Sequence, residues 1–298
     1  MHTSRAFFVP ALLAVAALAA CGSSDDDQPV PPVASPVAVG DTVALTVSGS
    51  VLSFDRATPA TLKGSIAVSG LLPTEKLVGL DVRPADGLLY ALSNQARLYT
   101  LNAATGVATF KAALAAATGD DNPYTARTGS QFGVDFNPVA DRLRVVSDTG
   151  LNLRIDVTTG ATTTDGVVNG AVAAITASAY TNAVAGTTST QLYGLDAAAG
   201  QVYLQDPPNN GTLTAPMALG GTFAGANGFD IDARNNTAYA ALTSAGSTAL
   251  YTVPLTAGRT ATRTGTHGTG EALAGLALAQ PAAPTAPALT PGSRLASC

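Results

Sequence analysis

The chain contains few of the residues that most often carry chemistry. Its 298 residues include two cysteines, two histidines and no tryptophan. These counts exclude metal centres built from several histidines and cysteines. A Ser-His-Asp hydrolase needs a histidine oriented by an acid, but His267, in a turn rich in Gly and Thr, is expected to be an exposed loop residue. HExxH, Walker and Gly-x-Gly-x-x-Gly motifs are also absent.

Charge is scarce as well. Only 12% of residues are charged, the 15 Lys and Arg are scattered, and the formal net charge is -5. Nucleic-acid binding needs clustered cations against phosphates, so a nucleic-acid partner is not expected. A hydrophobic content of 46% is sufficient for a sizeable core. The dominance of Ala, Thr, Gly and Val favours strands and turns, which predicts an all-β fold.

A short apolar run, Ala6 to Ala20, opens the sequence. It is shorter than the roughly 20 residues of a bilayer span and is typical of a signal peptide, here residues 1–20. Leu18-Ala19-Ala20-Cys21 resembles the bacterial lipobox, which implies that Cys21 is acylated. An ordinary signal peptide followed by a coincidental cysteine is the alternative. We expect a lipoprotein of the cell envelope, and Ser23 resembles the pattern sent to the outer membrane, whichever side the domain faces.

Two segments are expected to be disordered. Residues 21–41 form a tether that is first acidic and then Pro-rich, and its three consecutive aspartates indicate solvation rather than calcium. Residues 280–298 form a Pro- and Ala-rich tail ending at Cys298, which is inert, lipidated or in an intermolecular disulfide. With Cys21 acylated, no internal disulfide is available. The domain between them, 42–279, must therefore be stabilised by packing.

A repeat fills this domain. Similar copies begin at Gly79, Gly133 and Gly228, each with a Gly-x-Asp strand, a polar turn, an alternating strand, a third strand closed by Thr-Gly or Ala-Gly, and a Thr-rich strand. A less faithful copy begins near Tyr180. The anchor positions are Asp81, Asp135, Tyr180, Asp230 and Ala277, at steps of 54, 45, 50 and 47 residues. Such a period is typical of a four-stranded propeller blade.

The two ends of the domain complement each other. Thr42 to Gly70 contains a second, third and fourth strand without a first, whereas Glu271 to Ala279 contains a first strand alone. Pairing the last strand into the first blade would close the ring and leave no open edge. We therefore predict a β-propeller of five four-stranded blades, one of them split. An irregular six-bladed ring is the alternative.

The repeat also carries a family resemblance. The segments 77–106, 132–160 and 225–242 resemble the bacterial DUF4394 family, most specifically in Asn137-Pro138-x-x-Asp141-Arg142-x-Arg144-Val145-Val146-Ser147. The resemblance covers roughly Leu77 to Ala279. It implies a propeller-like repeat fold and no established activity.

Carboxylates are the remaining chemical option. Asp81, Asp135 and Asp230 take the same place in three blades. On the innermost strands they could converge on the channel and bind a hard cation such as calcium, or act as glycosidase acids. Alternatively, each accepts hydrogen bonds from the backbone of its own turn, a structural role that would recur in every blade.

The blade from Gln131 is the most highly charged. An ion-pair lattice between blades is one interpretation, with Arg154 opposite Asp148 and Asp156, and an anion-binding surface is the other. The candidate ligand-binding residues are Asn137, Asp141, Arg142, Arg144, Asn152 and Arg154. The polar insertion Gly119 to Arg127 directly precedes this blade and marks the preferred neighbourhood of a site, because loops on rigid scaffolds often bind ligands.

Two functions remain open. The first is a monomeric, non-enzymatic, surface-anchored binding or scaffold lipoprotein for a protein, glycan or small ligand. The second is a cation-dependent propeller hydrolase or lyase acting on glycans or lactones. The hydrolase or lyase requires that Asp81, Asp135 and Asp230 point into one open pocket, whereas the binding module does not.

Overall fold

The computed structural model of the chain describes residues 35–171 and 174–279. The predicted signal peptide, Cys21 and the tail 280–298 lie outside these residues. Within the two ranges, no helix is long and apolar enough to cross a bilayer.

Twenty-one strands form five sheets in the described part of the chain. Blade 1 contains β1 (Thr42–Thr46), β2 (Ser50–Phe54) and β3 (Leu62–Ala67). Blade 2 contains β4 (Leu77–Val82), β5 (Leu89–Ser93), β6 (Arg97–Leu101) and β7 (Ala108–Ala113). Blade 3 contains β8 (Ala115–Ala116), β9 (Phe132–Asn137), β10 (Arg142–Ser147), β11 (Asn152–Ile155) and β12 (Ala161–Thr164).

The last two blades complete the ring. Blade 4 contains β13 (Ala177–Tyr180), β14 (Leu192–Asp196), β15 (Gln201–Gln205) and β16 (Leu213–Ala218), with a 3-10 turn at Pro208–Asn210. Blade 5 contains β17 (Ala224–Ile231), β18 (Ala238–Ser244), β19 (Ser247–Val253) and β20 (Thr262–Thr266). The final strand, β21 (Leu273–Leu278), joins blade 1.

The five-bladed propeller with one split blade is confirmed. Strand β21 pairs antiparallel with β1, with Val43 opposite Ala277, and the sheet order is β21-β1-β2-β3. The innermost strands β4, β9, β13, β17 and β21 contact one another around the axis. Blade 3 has one addition, because β8 pairs in parallel with β12 and ties the end of blade 2 to blade 3.

Repeated turns explain the repeated sequence. The Asn137 Oδ1 accepts the amides of Val139 and Ala140, an Asx turn that sets the β9–β10 hairpin. The third and fourth strands are joined through Thr-Gly, and Gly160 there has a φ of +79°. A Cβ on Gly160 would lie 2.0 Å from the Ala113 carbonyl oxygen of blade 2, so only glycine fits.

The innermost strands approach closely because they carry glycine. A Cβ on Gly79 would lie 2.4 Å from Val134 Cγ2, and one on Gly133 would lie 2.4 Å from the Ser178 amide nitrogen. A Cβ on Gly228 would lie 2.5 Å from Leu276 Cβ, and one on Gly275 would lie 3.2 Å from the Leu80 amide nitrogen. This layer makes the axis of the propeller narrow.

The predicted anchor of blade 4 is wrong by one residue. Asp81 accepts the amide of Phe136, the residue after Asp135, and Asp135 in turn accepts the amide of Tyr180. Tyr180 therefore corresponds to Phe136, and Ala179 takes the aspartate position. Blade 4 lacks the Gly-x-Asp signature, which is why the repeat alone misplaced it.

A charged cluster lies where blade 1 meets blade 5. Arg56 of blade 1 donates from Nη1 to Asp232 Oδ2 of blade 5 at 2.8 Å and from Nε to Asp41 Oδ2 at 3.0 Å, and it lies over the Tyr239 ring. The described chain before β1 also contacts the domain, since the Val37 amide donates to the Ala104 carbonyl at 2.7 Å. The end of the predicted tether thus packs against the propeller.

The expectation that His267 is an exposed loop residue is wrong. Its side chain is buried, with a relative exposure of 1% for the residue. Its ring stacks on Phe54 with the centroids 6.3 Å apart, and its Nε2 lies 2.7 Å from the Glu271 carbonyl oxygen. The turn that contains His267 contacts blade 1, since the Gly268 amide donates to the Pro59 carbonyl at 3.0 Å, and the local sequence does not reveal this contact.

Candidate functional site

Three buried carboxylates converge at the axis. Asp81 of β4, Asp135 of β9 and Asp230 of β17 each offer an oxygen, and these oxygens all lie within 4.8 Å of one another. Their residues are 1–3% exposed. The innermost strands bring them together because they occupy the same position in three blades.

Each carboxylate joins its blade to the next. Every one accepts a backbone N–H from the following innermost strand, and two also accept the amide of the residue after themselves. The expectation of bonds confined to each turn therefore misses the main contact. The bonds between blades are Phe136 N to Asp81 Oδ2 at 2.7 Å, Tyr180 N to Asp135 Oδ1 at 3.0 Å and Leu278 N to Asp230 Oδ2 at 2.6 Å.

This environment favours protonated carboxyls. Burial raises the pKa of Asp81 and Asp135 well above the ordinary value, and the neighbouring carboxylates raise both further. Burial also raises the pKa of Asp230 to about 7, although its two backbone hydrogen bonds act in the opposite direction. No described Lys or Arg lies within 4.0 Å of any of the three.

The spacing of these oxygens also suits a hard cation. Calcium takes oxygen ligands at about 2.3–2.6 Å, so two ligands on opposite sides of the ion lie about 5 Å apart. The oxygens of the three aspartates lie within 4.8 Å of one another, which matches this distance. Asp135 Oδ1 and both oxygens of Asp81 and Asp230 already accept backbone amides, so each would offer its second lone pair. The calcium hypothesis for Asp81, Asp135 and Asp230 stays a prediction.

The space beside the carboxylates is small. Gly79, Gly133, Ser178 and Gly275, with their neighbours, line a space of only about 10 Å³ next to them along the strands. That is near the volume needed for one water molecule. Ser178 Oγ lines this space and has no hydrogen-bond partner among the described residues. A sugar or lactone cannot enter here.

A larger cavity, the mouth cavity, lies where the innermost strands begin. It has a volume of about 200 Å³, and blades 1 to 4 all contribute to it. The lining residues Val78 and Phe132 are three residues from Asp81 and Asp135, so the cavity and the carboxylates are separated by about 10 Å of strand. The lining residues are Val47, Lys76, Leu77, Val78, Asn94, Ser130, Gln131, Phe132, Thr176 and Ala274.

Arg127 contacts two residues that line the mouth cavity, Phe132 and Asn94. Its guanidinium lies 4.3 Å over the Phe132 ring, and its Nη2 donates to the Asn94 carbonyl at 3.1 Å. The Arg127 Nε and the Gln131 Oε1 are buried and have no partner in the described chain. Burial lowers the pKa of Arg127 below the ordinary value, yet a guanidinium remains charged in proteins. The predicted insertion Gly119 to Arg127 thus ends at a cavity.

The charged residues of blade 3 mostly bind each other and the neighbouring blades. Arg144 is 1% exposed and donates to Tyr180 Oη and Asn209 Oδ1 of blade 4. It shares Asp165 with Arg154, at 2.6 Å and 2.7 Å. Sequence reasoning missed Asp165 and Asn209, because neither has a position in the repeat.

The other candidate ligand-binding residues also have intramolecular partners. Asp141 pairs with Arg83 of blade 2 at 2.5 Å, and Arg142 lies 3.3 Å from Asp156. Asn152 donates from Nδ2 to the Pro208 carbonyl of blade 4, and Asn137 caps its own turn. The predicted neighbour Asp148 bonds to Ser130 instead of Arg154. This arrangement corresponds to the lattice interpretation of these residues.

Comparison with known proteins gives a family. The chain is similar to a structural genomics protein of unknown function from Bacteroides thetaiotaomicron VPI-5482, with 16% identity over 74% of this chain and 56% of that one and a TM-score of 0.42. It is also similar to BamB from Moraxella catarrhalis, with 17% identity over 72% and 56% and a TM-score of 0.28. The chain thus spans a little over half the length of these structures. No curated protein matches. Residues 50–277 match the domain of unknown function DUF4394, and the chain therefore belongs to that family.

Proposed function

We propose that the protein is a non-enzymatic binding module whose ligand enters the mouth cavity. One observation carries this proposal: the open cavity and the convergent carboxylates are separate. The cavity takes a small molecule at the axis of the ring, where blades 1 to 4 contact it. The carboxylates lie about 10 Å further along the strands, behind a space of about 10 Å³.

A hydrolase or lyase is the alternative, and the same geometry disfavours it. A catalytic acid or base must reach the reacting atom directly or through one water. Asp81, Asp135 and Asp230 accept backbone amides in the buried interior. Their contacts join blades, a role that needs no substrate.

A ligand screen separates the two functions. The mature chain is screened by thermal shift against sugars, small acids and chromogenic glycosides and lactones, with and without calcium. A binding module gains stability from a ligand without turning it over, and Val47→Trp, which fills the mouth, removes the gain. Asp135→Asn leaves binding intact. Turnover that disappears in Asp135→Asn would overturn the proposal in favour of catalysis.

The proposed location is the cell envelope, with the chain held in the outer membrane through Cys21. The lipobox-like Leu18-Ala19-Ala20-Cys21 supports it. Radiolabelled palmitate incorporated by the wild type and not by Cys21→Ser is the expected result in a bacterial host. Equal labelling of both would refute the anchor, while Cys298→Ser serves as the matched cysteine control.

A further inference from the structure

We infer that the mouth cavity binds a small carboxylic acid with a compact apolar body, its carboxylate facing Arg127 and Lys76. This inference rests on the proposed binding function and adds the chemical class of the ligand. It depends on three observations: the pairing of cations across the chain, the wall of the cavity, and unsatisfied polar atoms beside it.

Arg127 is exceptional among the cations of this acidic protein. The chain has 20 Asp and Glu against 15 Lys and Arg, so partners are plentiful. Five described cations have no carboxylate within 4.0 Å. Four of the five are exposed to solvent, and the fifth, Arg127, is partly buried. The other four are Lys76, Lys111, Arg259 and Arg263.

An unpaired, partly buried guanidinium is costly unless an anion binds it. Desolvation disfavours the charged form, and an arginine cannot escape by losing its proton. Arg127 Nε is buried and makes no hydrogen bond within the described chain. Lys76, which lines the same cavity, adds a second positive charge at the mouth. An incoming carboxylate would satisfy both cations.

The wall of the cavity selects an apolar body. Its apolar lining residues are Val47, Leu77, Val78, Phe132 and Ala274, while Ser130 and Gln131 are among the polar ones. The volume of about 200 Å³ equals that of roughly seven water molecules in the liquid. Drug-sized ligands occupy pockets of about 300–1,000 Å³. The ligand is therefore a small acid rather than a long lipid or an oligosaccharide.

Phenylacetate and phenylacetamide form a matched pair of probes that differ in charge. Their affinities are measured by isothermal titration calorimetry on the full mature chain carrying Cys21→Ser, which needs no detergent. We expect phenylacetate to bind at least about tenfold more tightly than the amide, because a charge-assisted hydrogen bond is stronger than a neutral one.

Charge variants identify the partner of the acid. Arg127→Gln should raise the Kd of phenylacetate about tenfold or more and leave that of phenylacetamide within about twofold. Lys76→Gln, at an exposed position, should have a smaller effect in the same direction. Arg259→Gln, an equal charge change away from the cavity, should leave both affinities unchanged.

A second pair of variants tests the inference without removing Arg127. Val47 is 46% exposed, so Val47→Glu and Val47→Gln are expected to fold. Val47→Glu places a carboxylate at the mouth and should abolish phenylacetate binding, while Val47→Gln should retain it.

Equal affinity for acid and amide, or no loss in both Arg127→Gln and Val47→Glu, would overturn the inference. If phenylacetate fails to bind but a neutral ligand binds in a manner blocked by Val47→Trp, the carboxylic acid inference fails and the binding function survives. If no ligand sensitive to Val47→Trp is found, both fail.

Discussion

The buried aspartates should make the propeller less stable as the pH rises. Asp135→Asn tests this directly, because an asparagine Oδ1 can still accept the Tyr180 amide that Asp135 accepts at 3.0 Å. The substitution removes one carboxyl from a group whose oxygens lie within 4.8 Å of one another. It therefore relieves repulsion while keeping the contact between blades 3 and 4.

The sign of the effect follows from the raised pKa values. A carboxyl whose pKa is higher in the folded than in the unfolded state binds more protons when folded, so the free energy of unfolding falls as the pH rises. The stabilisation is complete below about pH 4 and is lost as the pH rises above it, in the case of Asp230 towards about pH 7. For Asp230, the rise from 3.8 to about 7 corresponds to about 4 kcal/mol at 1.36 kcal/mol per pH unit.

Removing one of the three carboxyls should recover part of this loss. We expect Asp135→Asn to be more stable than the wild type by about 1–4 kcal/mol at pH 8, and the difference to shrink towards pH 5. Urea unfolding at both pH values measures it. Burial lowers the pKa of His267, so this residue acts in the opposite direction, raising stability as the pH rises through about 6.5. Comparing variant with wild type cancels its contribution.

The exposed Asp121 provides the matched control. Asp121→Asn makes the same chemical change outside the cluster and should leave the pH dependence unaltered. If Asp135→Asn were less stable than the wild type at pH 8, and equally so at pH 5, repulsion among the carboxylates would be refuted. The hydrogen bonds of the carboxylates would then contribute more to the free energy of unfolding than their mutual repulsion removes.

Three further outcomes are expected. The calcium hypothesis predicts that millimolar calcium raises the thermal midpoint of the wild type at pH 8 and leaves that of Asp135→Asn unchanged. An equal shift in both proteins would show that calcium does not bind to the three aspartates. Arg56→Met removes one of the two arginines paired with the buried Asp232, which keeps Arg234. It should lower the free energy of unfolding more than Lys63→Met, which breaks an exposed pair. Urea unfolding compares the two variants, and equal losses would contradict this expectation. Gly133→Ala should destabilise the ring, because its Cβ would lie 2.4 Å from a backbone nitrogen. Gly221→Ala should be nearly neutral when urea unfolding of the two variants is compared. Equal midpoints of urea unfolding would contradict the close approach at Gly133.

The fold could be predicted because each blade carries its own local signals. Thr-Gly turns, Asx turns such as that of Asn137, and strand alternation are properties of short segments, and they recur with the period of a blade. The split blade followed from two incomplete copies at the ends. Blade 4 was misaligned because Ala179 replaces the aspartate that marks the other strands.

The site was less predictable because it depends on contacts between blades. The repeat predicts that Asp81, Asp135 and Asp230 could converge. The volume of the space beside them, however, depends on how tightly the glycines of the innermost strands pack. Arg127 lay within the expected insertion, yet its missing ion partner is a property of the folded chain alone. The burial of His267 likewise depends on Phe54, more than two hundred residues earlier.

The pairing of β21 with β1 makes the order of synthesis matter for folding. Thr46 and Leu273 are opposite each other in the sheet but 227 positions apart in the chain. Pairings between such distant segments form slowly, and until β21 arrives, β1 exposes an unpaired edge that invites aggregation. A nascent chain that lacks its last strand is therefore a target for chaperones and proteases. We expect a chain that ends before Leu273 to be degraded rather than to accumulate as a shorter protein.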